Sequence, residues 1–131
     1  MSSALSTIAP LRVDGVVIKV EDQTVVFEGV ISMRSPAETV TPFLRRVHTA
    51  AVQAGVKNLT ADFVNLRFMN SSSIRTLVDW ISWINNEPAN SQYILHFVTK
   101  PDVTWQRTTL TAIQALGGSR VVVRATVNAE R

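Results

Sequence analysis

The stretch Asp62-Phe63-Val64-Asn65-Leu66-Arg67-Phe68-Met69-Asn70-Ser71-Ser72-Ser73-Ile74 is where the hydrophobic pattern of this 131-residue chain changes period. Before it, Lys57 to Phe63 has the short apolar character of a strand, which is read as ending at Asp62. After it, Ile74, Leu77, Val78, Ile81 and Ile84 recur at three and four residue spacing, which predicts a helix from Ser71 to about Asn86. A short loop through Asn65, Leu66 and Arg67 is expected between them, pinned into the core by Phe68 and Met69. Three serines then stand at a helix entrance, where free backbone N–H groups point outward and the dipole favours negative charge. Phosphorylation there would add about −1.5 to −2 charges and three acceptor oxygens. Asn and Ser are also the preferred N-cap residues, so Asn70, Ser71 or Ser72 can serve as a cap and nothing more.

Outward from this segment the chain alternates between strand and helix patterns. Val16 to Val20 and Thr24 to Ile31 are β-rich runs separated by Asp22-Gln23 and read as a hairpin. Ser35-Pro36-Ala37-Glu38 has the chemistry of a capping box, and a helix follows with Val40, Phe43, Leu44, Val47 and Ala51 on one face. Pro42 restricts the regular part of that helix to residues 42–54, with Gly55 at the left-handed C-cap position. Tyr93 to Val98 is a nearly continuous apolar run of the buried-strand type. Pro101-Asp102 opens a third helix through Leu110, Ile113 and Leu116, stopped by Gly117-Gly118, and Val121 to Val127 is the last strand. The order β-β-α-β-α-β-α-β predicts an α/β fold, a mostly parallel sheet with an antiparallel N-terminal edge pair and helices packed on it. Residues 1–12 are read as an N-terminal tail or added edge outside the core, and residues 13–131 as a single domain.

Composition narrows the chemistry. There is no Cys and only two His, which leaves no disulfide framework, thiol nucleophile or thiolate zinc site. The 13 basic residues exceed the acidic ones by three, and their scatter argues against a nucleic-acid stripe. No signal-peptide pattern and no membrane-length apolar stretch occurs, so a soluble cytoplasmic protein without metal or cofactor is expected. His48 and His96 lack partners at ligand spacing and are read as structural. No nucleophile elbow, phosphate-binding loop or dinucleotide fingerprint is present, and no catalytic residue is assigned.

Asp62 to Ile74 resembles the STAS family, named for sulfate transporters and anti-sigma factor antagonists, in which a strand, an Asp and an aromatic-apolar pair lead to Asp-Ser-Ser-Gly at a helix start. The resemblance extends from about Val16 to Val127 in element order. It implies that Ser71 is the phosphorylated serine, with Asp62, Asn70, Ser72 and Ser73 in the supporting switch loop, and Arg75, four residues on along the helix, is added to that loop by its reach for a phosphate on Ser71. Asn70 stands where the family has Asp, and Ser73 where it has Gly. It further implies a regulatory protein-interaction domain rather than an enzyme. Its partners would be a serine kinase or anti-sigma type protein and a phosphatase, switched by phosphate at Ser71. A scaffold or small-ligand-sensing module that is never phosphorylated is the alternative. Trp80 and Trp83 lie off the expected core stripe of the second helix and are candidates for a partner surface. Trp105 is assigned to ordinary packing.

Overall fold

The computed structural model describes residues 4–13 and 15–125. Six strands form one sheet in sequential order: β1 (Leu11–Val13), β2 (Val16–Glu21), β3 (Thr24–Ile31), β4 (Asn58–Met69), β5 (Ile94–Thr99) and β6 (Val121–Ala125). The first three pair antiparallel and the last four parallel. Three helices, α1 (Val40–Gln53), α2 (Ser71–Asn85) and α3 (Thr104–Gly117), connect the parallel strands. The expected order is present, preceded by the short edge strand β1. Thr126 and Val127, assigned from sequence to the last strand, lie outside the described residues.

Burial on β5 alternates, with Leu95 and Phe97 inside and Ile94, His96 and Val98 half-buried. One sheet face therefore joins the helices in a single core, and the other stays partly open, as alternation rather than a continuous buried run requires. The core also takes in Leu5, which is 0% exposed and belongs to the segment read from sequence as lying outside the core. The loop 21–24 closes the β2–β3 hairpin as expected, with Asp22 at φ 57 supplying the left-handed turn residue. At Gly29, φ is 104 and a Cβ would come within 2.1 Å of the Gly15 carbonyl oxygen, so only glycine lets β2 and β3 approach there.

The start of the first helix differs from expectation. Ser35 makes no side-chain cap, and Pro36–Glu38 form a 3-10 turn. The α1 helix begins at Val40, so Pro42 falls in its first turn, where the missing N–H would have had no intrahelical partner. At the other end the expectation holds: Val56 N–H donates to Ala51 O and Gly55 N–H to Val52 O, with Gly55 at φ 69. That is a Schellman closure.

The larger correction concerns β4. The strand does not end at Asp62 but runs on to Met69, with bulges against β3, and no loop spans Asn65 to Arg67. Its pairing with β5 stops at Asp62–Val98. Beyond that point α3 side chains take over. Gln106, fully buried, donates through Nε2 to Phe63 O (2.6 Å) and Leu66 O (2.7 Å) and accepts from Lys100 N–H (2.8 Å). Trp105 donates Nε1–H to Arg67 O (2.8 Å). The Phe68-Met69 pair splits accordingly, with Met69 buried and Phe68 46% exposed.

Candidate functional site

The parallel pairing of β3 with β4 ends at Ile31–Met69, which brings the residues after both strands to one edge of the sheet. Asn70 joins them. Its N–H donates to Ile31 O (2.9 Å), its side-chain Nδ2 donates to Met33 O (3.0 Å), and its Oδ1 accepts from Ser73 N–H (3.0 Å) as the N-cap of α2. An aspartate could make the cap but not the bond to Met33, because a carboxylate has no proton to give a carbonyl. Asn70, the first of the two departures from the Asp-Ser-Ser-Gly pattern, thus ties the α2 entrance to the segment leading into α1.

Between that segment and the first turns of α2 lies a hollow of about 580 Å³, lined by Arg34, Glu38, Ser71, Ser72, Arg75 and Asp79 among others. Ser71 and Ser72 are exposed. Ser73 is 0% exposed, and its Oγ has no hydrogen-bond partner among the described residues. Burial therefore removes Ser73 as a phosphate acceptor and leaves the first two serines. Arg75 holds Asp79 loosely, Nε to Oδ1 at 3.5 Å on the surface. Such an exposed pair contributes little and can be exchanged for a stronger anion. Deleting the unpaired hydroxyl in Ser73→Ala is expected to raise stability by about 1 kcal/mol, read as a higher urea midpoint, since a buried polar group without a partner costs about 1–3 kcal/mol.

The structure gathers Asn70, Ser71, Ser72 and Arg75 at this edge but not the other candidates. Asp62 sits in the middle of β4, paired with Val26 and Val98, and its carboxylate accepts from Val64 N–H (3.0 Å). It does not line the hollow, because the strand continues past it. Trp80 is 0% exposed and cannot meet a partner in this fold; the buried arc of α2 is turned toward Ser73, Thr76 and Trp80. Trp83 is half-buried, with the Arg45 guanidinium 4.8 Å above its ring. Leu116, which marks the third helix together with the buried Leu110 and Ile113, is 56% exposed. Arg34 and Glu38 are lining residues that the sequence reading missed. The signal lay in the parallel β-α-β order, which sets the chain three residues past one strand beside the start of the next helix.

Trp80 anchors a buried chain of polar groups. Its Nε1–H donates to Tyr93 Oη (2.8 Å), which lies 2.9 Å from His48 Nδ1, and His48 Nε2 lies 2.8 Å from Glu87 Oε2. Every group is satisfied when His48 is neutral, with Nε2–H donating to Glu87 and Tyr93 O–H donating to Nδ1. A second proton on the ring would leave the Tyr93 hydroxyl hydrogen without this acceptor. Burial accordingly lowers the His48 pKa below its ordinary 6.5, against the opposing pull of Glu87, and burial also lowers that of His96. A lowered folded pKa means that the unfolded chain binds more protons just below pH 6.5. Stability is therefore expected to be full above that pH and to fall as pH drops toward the folded value. Imidazole NMR titration checks this: a folded His48 pKa above 6.5 would contradict it.

Among the described residues no group of three or more His, Cys, Asp or Glu is placed to hold a metal, and no helix is long and apolar enough to cross a membrane. No histidine lines the hollow. No family model matches the chain, and no curated protein matches it. A crystal structure of an anti-sigma factor antagonist from Mycobacterium paratuberculosis is similar, at a TM-score of 0.48 and 16% identity over 82% of this chain and 83% of that one.

Proposed function

We propose that this domain is a non-enzymatic, cytoplasmic protein-interaction switch that docks on a partner through the entrance of α2 and is released by phosphate on Ser71. The observation that carries the reading is the exposed Ser71 at the first position of α2, opening on a hollow flanked by Arg34 and Arg75. The likeness of Asp62 to Ile74 to the STAS segment supports the choice of Ser71 over Ser72. A phosphate there would meet the positive end of the helix and two guanidinium groups, so the modified state is physically tolerated. The partner, a serine kinase or anti-sigma type protein, would supply ATP and the catalytic groups, and a phosphatase would reset the switch. Added charge and desolvation at the docking face would weaken the complex.

A second reading has its own observation. The hollow falls within the roughly 300–1,000 Å³ range of small-ligand sites, and Asn70 is accounted for by structure alone. An unphosphorylated ligand-sensing module or scaffold would use the same residues. The readings separate on affinity. A candidate serine kinase or anti-sigma type protein is titrated calorimetrically with the unmodified chain and with the chain carrying phosphoserine at 71. At least tenfold weaker binding of the phosphorylated form is expected; equal affinities would reject the switch.

A further inference from the structure

We infer that the sheet edge around Ser71 is a docking surface for an acidic segment of a partner protein that also presents an apolar side chain to Phe68. This rests on reading the α2 entrance as a protein-binding site and adds the chemistry of what binds. Strands β3 and β4 are parallel and end together at Ile31–Met69, and the Gln106 side chain ties Lys100 N–H, just past the shorter β5, to Leu66 O near the end of β4. Basic residues collect there. Arg34 follows β3, Arg67 lies near the end of β4, Lys100 follows β5, and Arg75 is one turn into α2. Arg12 joins Arg34 in a second hollow of about 540 Å³.

Arg12, Arg34, Arg67 and Lys100 are exposed, and none has a carboxylate partner among the described residues. The carboxylates near this edge are Glu38, Asp79 and Asp102, of which Asp79 is engaged by Arg75. Neither α2 nor α3 has an acidic residue in its first turn, although the dipole favours one. The edge is thus left positive where local physics would ordinarily neutralise it.

Next to Arg67, one residue before Met69 at the end of β4, Phe68 is 46% exposed. An aromatic among arginines has the composition of an interface centre rather than of solvated surface. Nucleic acid fits less well, since the three interspersed carboxylates would repel a continuous run of phosphates. An acidic polypeptide can place its carboxylates opposite individual cations and its apolar side chain on Phe68. Phosphate at Ser71 would then compete for Arg34 and Arg75, the two cations bordering it, and so act on the same contacts.

The test is an NMR titration of the full chain, labelled with nitrogen-15, at fixed ionic strength with three probes. They are a Glu/Asp-rich dodecapeptide with a central Leu, the same peptide with Ser for Leu, and a single-stranded oligodeoxynucleotide of equal charge. Saturable shifts confined to residues 34–38 and 67–76 with the Leu peptide are expected. Binding should weaken at least fivefold in Phe68→Ala and at least tenfold in the double variant Arg67→Glu, Lys100→Glu. Well-dispersed spectra of both variants show that they remain folded. Absence of saturable shifts, shifts centred elsewhere, unchanged affinity in Phe68→Ala, or tighter binding of the oligonucleotide would overturn the inference. A chain that a kinase phosphorylates on Ser71 but that ignores the peptides in its unmodified form defeats the acidic partner and keeps the switch; peptide binding by a chain that no kinase phosphorylates does the reverse.

Discussion

Gln106→Ala is expected to lower unfolding free energy by about 3–5 kcal/mol, because three backbone groups lose their partner and each buried one costs about 1–3 kcal/mol. The side chain bonds Phe63 O, Leu66 O and Lys100 N–H at once, from a position 0% exposed. It stands in for a missing neighbour strand along the part of β4 that outruns β5. Gln106→Glu keeps the length but replaces the donor with an oxygen facing two carbonyls, so a comparable loss is expected. Urea unfolding followed by circular dichroism measures both. A loss under about 1 kcal/mol in either variant would mean that the extension of β4 is held by other contacts.

Asn70→Ala should cost about 2–3 kcal/mol, combining a lost N-cap with a lost tie to Met33. Asn70→Asp is the sharper comparison. The carboxylate retains the cap and gains about 0.3–1 kcal/mol from the helix dipole, but it gives up the donor to Met33 O and sets oxygen against oxygen at a cost of about 1–3 kcal/mol. The second effect is the larger. Asp at 70 is expected to be less stable than Asn, read from urea midpoints at neutral pH. An equally or more stable Asp variant would remove the structural reason for Asn at this position.

These two residues also show what the sequence could and could not disclose. The hydrophobic period located α2 and the Gly55 closure of α1, since both depend on residues a few positions apart. The end of β4 was misread because its last carbonyls are satisfied by Gln106 and Trp105, roughly forty residues away, and no local pattern announces such a bond. Asp62 came with the family resemblance, and the length of β4 beyond it separates it from the Ser71 entrance. Trp80 was misassigned because the buried arc of a helix is fixed by the way it meets the sheet; Ser73 and Thr76 lie inside with it, which an apolar stripe alone does not indicate. Ser71, Ser72, Asn70 and Arg75 were legible because helix spacing places them together, whereas Arg34 needed the strand order.

The central claim is that Ser71, and not a neighbouring serine, receives phosphate from a partner. Fragmentation mass spectrometry after incubation with the candidate partner serine kinase and ATP tests it most directly, with Ser71→Ala as control. A single phosphate on Ser71, absent from Ser71→Ala, is the expected result. Phosphate on Ser72 that survives Ser71→Ala, or no phosphate on a chain that still binds the kinase tightly, would contradict it.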